Sequence, residues 1–331
     1  MDLQERIDLM VRLGEYLEGN DAAWQEVRRS AEARNPWFTE EFIGLAVDNI
    51  SSYFLKKDLL DLWTSHYHIN DSVIPRQVGI VMAGNIPLVG FHDMLSVFIC
   101  GHRQAIKVSS KDEVLIKHIV EKLVSWNPEV ENLISIRELL KGCDAYIATG
   151  SNQSARHFEQ YFQAYPHIIR RSKTSAAILT GKESREQLEK LSDDVHLYFG
   201  RGCRNVTKIF VPDEYDFLPL LAAFDKYKYF ADHHKYRNNY DFQLSLLLLN
   251  QSYYMTNGGT LLVESEQSFT PISVLHYEFY SPSTDLKDAL NKMEDLQCIG
   301  GSGYLDFGKA QQPGLFDYAD GVDTMQFLLS L

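Results

Sequence analysis

The chain has 331 residues and a formal net charge of −13 at pH 7. A chain of this length buries a substantial core and suits two lobes, or one large domain with an appendage. The acidic balance excludes nucleic acid as the main partner, because phosphate binding needs a basic surface.

The first residues, Met1-Asp2-Leu3-Gln4-Glu5-Arg6, are acidic and amphipathic, without the basic start, apolar centre and small-residue cleavage site of a secretory signal. A cytoplasmic location is therefore expected. Leu3, Ile7, Met10, Leu13 and Leu17 form one apolar stripe at helical spacing, and Phe42, Leu45, Ile50, Phe54, Leu59 and Leu60 continue in that style. This predicts a helical N-terminal segment over 1–70. Asn35 to Glu41 interrupt it, with Thr39 as an N-cap before two acids.

From Pro75 onward short β-branched runs alternate with amphipathic stretches, the pattern of a parallel α/β sheet. Strands are predicted at 78–82, 104–108, 145–148 and 175–179, with helices over 88–100, 113–126 and 184–191. Gly101 reads as the helix stop at the C′ position. After Cys203 come helices over 219–231 and 241–251, then strands over 259–263 and 272–279, which read as a second α/β lobe. Leu244 to Leu249 is the best apolar run, too short to span a bilayer, and reads as the middle of a buried helix. Met325 to Leu329 reads as a short strand or helix. The expected fold class is α/β, with a cofactor-binding domain over 71–175 joined by 310–331, and a catalytic domain over 176–309.

Four cysteines, Cys100, Cys143, Cys203 and Cys298, lie far apart without metal-ligand spacing, so reduced thiols are expected and neither zinc nor a disulfide framework is indicated. Cys203 stands out. It lies in Phe199-Gly200-Arg201-Gly202-Cys203-Arg204-Asn205, directly before the apolar run Val206 to Pro212. Flanking glycines allow a tight turn and a close carbonyl approach, and Arg201 and Arg204 favour the thiolate. Alone, such a cysteine is more often a small buried hydrophobe.

Three loops follow the first-lobe strands: Ala83-Gly84-Asn85-Ile86-Pro87, Ser109-Ser110-Lys111-Asp112 and Thr149-Gly150-Ser151-Asn152. In an open parallel sheet such carboxyl-end loops line the ligand cleft. Thr149-Gly150-Ser151 before a helix offers backbone N–H groups to an anion, and Lys107, Ser109 and Ser110 offer charge and hydroxyls. Neither a G-x-G-x-x-G nor a Walker sequence is present.

The order of these pieces resembles the aldehyde dehydrogenase superfamily, and within it most closely the acyl-CoA reductases related to the fatty-acyl reductase of bacterial luminescence. The resemblance runs from about Pro75 to Pro282. Ala83 to Pro87 is similar to the superfamily's Pro-Trp-Asn-Phe-Pro segment, which implies that Asn85 supplies an oxyanion-hole amide. Ile106 to Ser110 resembles its Lys-Pro-Ser-Glu segment, which implies cofactor-ribose contacts from Lys107, Ser109 and Ser110. Thr149, Gly150 and Ser151 resemble the turn that meets the cofactor pyrophosphate. Gly200-Arg201-Gly202-Cys203 resembles the Gly-Gln-x-Cys motif and implies that Cys203 is the nucleophile. The later Glu-x-Phe-Gly-Pro motif aligns with Gln267-Ser268-Phe269-Thr270-Pro271, so Gln267 replaces the glutamate at the nicotinamide ribose and keeps an amide for it.

Two departures shape the expected chemistry. Where the superfamily's Glu-Leu-Gly-Gly-Lys glutamate activates water, this chain has Ile169, so hydrolysis of a thioester is expected to be poor. Where Lys-Pro-Ser-Glu has its glutamate, this chain has Ser110, beside Lys107, Ser109 and Lys111, which tolerates a 2′-phosphate and favours NADPH. The resemblance implies NADPH-dependent reduction of an acyl-CoA or acyl-protein thioester through an acyl group on Cys203, with Asn85 and the Cys203 N–H holding the oxyanion. Two alternatives stay open: an acyltransferase or acyl carrier using Cys203 without reduction, and an acyl-phosphate reductase. A homodimer is the expected assembly.

Other residues invite a chemical reading. His233-His234 beside Asp232 has no third ligand at a sensible spacing and reads as a solvated helix end. His92-Asp93 reads as support for Asn85 or a helix cap, with proton donation to a departing CoA thiol as the alternative. His167 and Arg170-Arg171 read as partners for the acidic surface, with phosphate binding as the alternative. Asp317 to Asp323 lacks the spacing and terminal glutamate of a calcium loop.

Overall fold

Asp2 and Glu5 close a capping box at the head of α1 (Leu3–Glu18), whose stripe of Ile7, Met10, Leu13 and Leu17 is buried. Asp21 caps α2 (Ala22–Arg34), and Thr39 caps α3 (Glu40–Tyr53), whose first-turn acids favour the helix start. α4 (Lys57–His66) follows, and Trp24 and Trp63 are both fully buried. Each contributes more than an aliphatic side chain, for which full burial is worth about 1.5–3 kcal/mol.

This is a computed structural model, and it describes residues 1–69, 74–281, 286, 290, 293–301 and 303–331. Residue 70, where the helical segment was expected to end, residue 71, and Pro282 lie outside the described residues. The chain divides into two compact units, 1–172 with 313–331, and 173–312. Among the described residues no helix is long and apolar enough to cross a membrane.

In the first unit β1 (Gln77–Val81), β2 (Arg103–Lys107), β3 (Ile134–Ile136), β4 (Ala145–Thr149) and β5 (His167–Arg170) form a parallel sheet in the order β3-β2-β1-β4-β5. The connecting helices are α5 (Phe91–Ile99), α6 (Glu113–Trp126) and α7 (Asn152–Phe162). Gly101 ends α5 at φ +79°, a conformation that favours glycine. The N-terminal helices share one apolar core with this sheet, since Leu13, Trp24, Phe38 and Trp63 cluster with Ile80, Leu95 and Ile106.

The second unit holds β6 (Thr174–Ile178), α8 (Arg185–His196), β7 (Val206–Pro212), α9 (Leu218–Phe224), α10 (His234–Leu249), β8 (Met255–Thr256), β9 (Leu261–Glu264), β10 (Val274–Tyr280) and β11 (Leu296–Gly301). Its sheet runs β11-β6-β7-β10-β9-β8, parallel except at β8–β9. The chain returns to the first unit in α11 (Thr324–Leu329), a helix capped by Asp323.

One expectation is corrected. Leu244 to Leu249 is the exposed C-terminal half of α10, where Leu248 and Leu249 are 59% and 79% exposed. Among the described residues the buried side chains of α10 are Tyr236 and Tyr240, both in its first half, with the Tyr236 ring 5.3 Å from Phe230. The apolar run lies beyond them.

Candidate active site

Because β2, β1 and β4 are adjacent and parallel, the loops leaving their carboxyl ends lie side by side. Ala83 to Pro87, Ser109 to Asp112 and Gly150 to Ser151 thus share one edge of the first unit. The first two loops touch: a Cβ on Gly84 would stand 2.5 Å from Ser109 Oγ, so only glycine fits there without a shift. Asn85 and Ser109 are half-buried, and Lys107, Ser110 and Lys111 are exposed. Among the described residues Lys107 makes no ion pair.

The third loop differs from its expected form. The Gly150 N–H donates to Arg170 O at 3.2 Å, so the sheet uses it and it is not left for an anion. Ser151 caps α7, accepting the Ser154 N–H at 3.2 Å. Thr149 and Gly150 are half-buried and Ser151 is exposed.

Beneath this edge lies a buried ion pair that joins distant parts of the sequence. Arg170 Nη1 donates to Asp93 Oδ2 at 2.5 Å and Nη2 to Thr324 Oγ1 at 2.8 Å. Arg170 is therefore an interior residue and not a partner for the acidic surface, whereas exposed Arg171 does pair with Glu159. His92 packs edge-on against Phe54 and Tyr318, and its Nε2 lies 3.0 Å from Leu315 O, a structural setting. Ile169 packs against the apolar cluster of Tyr146 and Phe162.

In the second unit Cys203 sits between α8 and β7, half-buried, while Cys100 and Cys143 are buried. The approach to it is unusual. Tyr198 and Phe199 both have φ +57° and Gly200 has φ +70°, a left-handed turn that non-glycine residues seldom adopt. Packing holds it, with the Phe199 ring 4.5 Å from those of Phe230 and His233. Asn205 braces the other side. Its Oδ1 accepts the Gly202 N–H at 2.7 Å, and its Nδ2 lies 3.0, 3.2 and 2.9 Å from the carbonyls of Asp194, Val195 and Leu197 at the end of α8.

Ser175 Oγ donates to Cys203 O at 3.1 Å and lies 3.1 Å from Cys298 Sγ. Burial draws the pKa of the Arg201 guanidinium below its usual value. At the end of α8, fully buried His196 donates from Nδ1 to Ser192 O and accepts at Nε2 from the Thr260 hydroxyl, each at 2.8 Å. Desolvation pulls its pKa down to about 4, so the ring is neutral.

Gln267, exposed, lies in the loop before β10. Thr207 donates to Ser268 O at 2.6 Å, Lys208 Nζ to Glu266 O at 2.8 Å, and His276 Nδ1 to Gln267 O at 2.9 Å. Thr207 and Lys208 open the strand that follows Cys203, so the Cys203 and Gln267 loops meet at the amino end of β7 and β10. Sequence reasoning missed Asn205, Ser175 and Asp112 as structural partners of these loops. Asn205 and Asp112 stand inside the motifs already singled out, while Ser175 carries no local signal.

Comparison with solved structures places the chain in the aldehyde dehydrogenase fold. An aldehyde dehydrogenase of Mycobacterium tuberculosis complexed with NAD+ matches with a TM-score of 0.63 at 14% identity, over 94% of this chain and 76% of that one. The aldehyde dehydrogenase 21 of Physcomitrella patens, in complex with the reaction product succinate, matches at 0.65 and 12%, over 91% and 74%. The apo betaine aldehyde dehydrogenase of Staphylococcus aureus matches at 0.65 and 14%, over 94% and 73%. No curated protein sequence matches the chain.

The family model for acyl-CoA reductase (LuxC) matches residues 47–220, more than half of the chain. The protein belongs to the LuxC acyl-CoA reductase family, has the aldehyde dehydrogenase fold, and is an oxidoreductase acting on aldehyde or acyl groups.

Proposed function

We propose that this protein reduces a long-chain acyl-CoA thioester to the aldehyde with NADPH, through an acyl group carried on Cys203. The observation that carries the reading is the setting of Cys203: half-buried, in a turn held on one side by the Phe199 ring packing and braced on the other by Asn205, in a chain of the acyl-CoA reductase family. An acyl-protein thioester is an equivalent donor.

The exposed donors Lys107, Ser110 and Lys111, with half-buried Ser109, fit a ribose bearing a 2′-phosphate, because none is a carboxylate that would repel it. Thr149 and Ser151, flanking a Gly150 whose N–H the sheet already uses, would face the pyrophosphate and Gln267 the nicotinamide ribose. When bound, NADPH supplies the hydride. The chain supplies the rest. Cys203 thiolate attacks the thioester carbonyl, the carbon–sulfur bond to CoA breaks, and the CoA thiolate leaves and takes a proton from solvent. Asn85 Nδ2 and the Cys203 N–H stabilise the oxyanion before that collapse and again after hydride addition, when the Cys203 sulfur leaves and the aldehyde is released. Ile169, packed among aromatic rings, offers no base to activate water, so the acyl group outlives hydrolysis.

The test follows NADPH oxidation at 340 nm with a long-chain acyl-CoA against the matching acyl phosphate. Consumption with acyl-CoA alone supports the reading. Consumption with acyl phosphate alone makes the protein an acyl-phosphate reductase, and acyl transfer without NADPH consumption makes it a transferase. The exposed apolar half of α10 further supports a homodimer.

A further inference from the structure

We propose that Asp112 is a positioning residue for the acyl reduction, fixing the loop that presents Asn85; this rests on the reading of Asn85 as an oxyanion donor. Asp112 occupies the N-cap position of α6, where an aspartate ordinarily accepts from its own helix, yet it makes no such bond. Asp2, Asp21, Thr39, Ser151, Ser184 and Asp323 all cap their helices. Asp112 Oδ2 instead accepts the backbone N–H of Leu88 at 2.8 Å, across to the neighbouring loop.

That bond holds a strained residue. Leu88 has φ +57°, the left-handed region that a leucine leaves unless its surroundings fix it. It stands three residues after Asn85, and Gly84, one residue before Asn85, abuts Ser109. The Asn85 loop is thus pinned on both sides to the single loop 109–112, which is itself braced where Asn35 Nδ2 donates to Lys111 O at 3.2 Å. The pin is kept at a cost: Asp112 is 3% exposed, and its Oδ1 has no hydrogen-bond partner among the described residues. Burial also pushes the Asp112 carboxyl well above the usual carboxylate range. Asparagine is its close isostere and keeps the same acceptor for Leu88.

The experiment compares full-length Asp112→Ala, Asp112→Asn, Asn85→Ala and the Asp112→Ala/Asn85→Ala double variant in acyl-CoA reduction, with hydrogen exchange of the peptide containing Leu88. A donor displaced by about an ångström costs about 10–100-fold in rate. Asp112→Ala should lower kcat by that factor, leave KM for NADPH within about twofold and speed Leu88 exchange, while Asp112→Asn restores kcat to within about threefold. The double variant should be no slower than Asn85→Ala, because Asp112 acts through Asn85. A wild-type kcat for Asp112→Ala beside an impaired Asn85→Ala overturns the proposal, as does a double variant in which the two losses multiply. A fully active Asn85→Ala instead removes the oxyanion reading on which the proposal rests. If the alanine variant does not fold, Asp112→Ser carries the same comparison.

Discussion

Asn205 Oδ1 accepts the backbone N–H of Gly202 at 2.7 Å, so the residue before Cys203 is held by the residue two positions after it. Asn205 is fully buried and its amide also reaches three carbonyls at the end of α8. The reach of one side chain ties helix, turn and strand together. Asn205→Ala would leave these groups without partners in the interior. The expected loss is about 2–4 kcal/mol by urea denaturation, with Cys203 acylation slowed by about tenfold or more. A variant that acylates at the wild-type rate would show that the turn needs no brace.

Arg170 and Asp93 make the second test. Both are nearly fully buried, so Asp93→Ala strands a guanidinium and should cost about 3–5 kcal/mol. Replacing both by apolar residues, Arg170→Met with Asp93→Leu, should recover much of that loss. Denaturation curves decide it. If Asp93→Ala is stable and changes only the pH profile of turnover, the pair belongs to the chemistry.

His196 sets an acid limit. Its folded pKa of about 4 lies below the ordinary 6.5, so between those values the unfolded chain binds the proton and the folded chain does not. Stability is lost as pH falls from 6.5 towards 4, by on the order of 3 kcal/mol when complete. His196→Asn should be less stable than wild type at pH 7 yet show a shallower decline towards pH 4.5. Parallel acid slopes would mean that other groups govern the decline.

The apolar half of α10 predicts assembly. With Phe242, Leu248 and Leu249 exposed, the chain should sediment as a dimer, and Leu248→Glu with Leu249→Glu should give a folded monomer. A wild-type monomer at micromolar concentration would contradict it.

These residues also show what a linear reading reaches. The strands β1, β2 and β4 were legible because both faces of the sheet are covered and their apolar runs are continuous. β5 was not, because its Arg170 looks like a surface charge until Asp93, far away in sequence, neutralises it. The three-residue β3 offers too little pattern, and β11 contains paired glycines that read as a turn. Leu244 to Leu249 misled for the opposite reason: apolar composition predicts burial, but an exposed helix face carries the same composition here. Asn85, Lys107 and Cys203 stand in recognisable motifs. Nothing local marks Tyr198 and Phe199 for a left-handed turn, since rings from 230 to 236 impose it. Asp112 looks like an ordinary helix cap, and only the path of the neighbouring loop shows otherwise.

The most direct test is mass spectrometry of the protein after incubation with a long-chain acyl-CoA in the absence of NADPH. One acyl mass should appear on the peptide containing Cys203, disappear when NADPH is added, and be missing from Cys203→Ala. An adduct on Cys298, Cys100 or Cys143, or normal turnover by Cys203→Ala, would contradict the role of Cys203 as the acyl-accepting nucleophile.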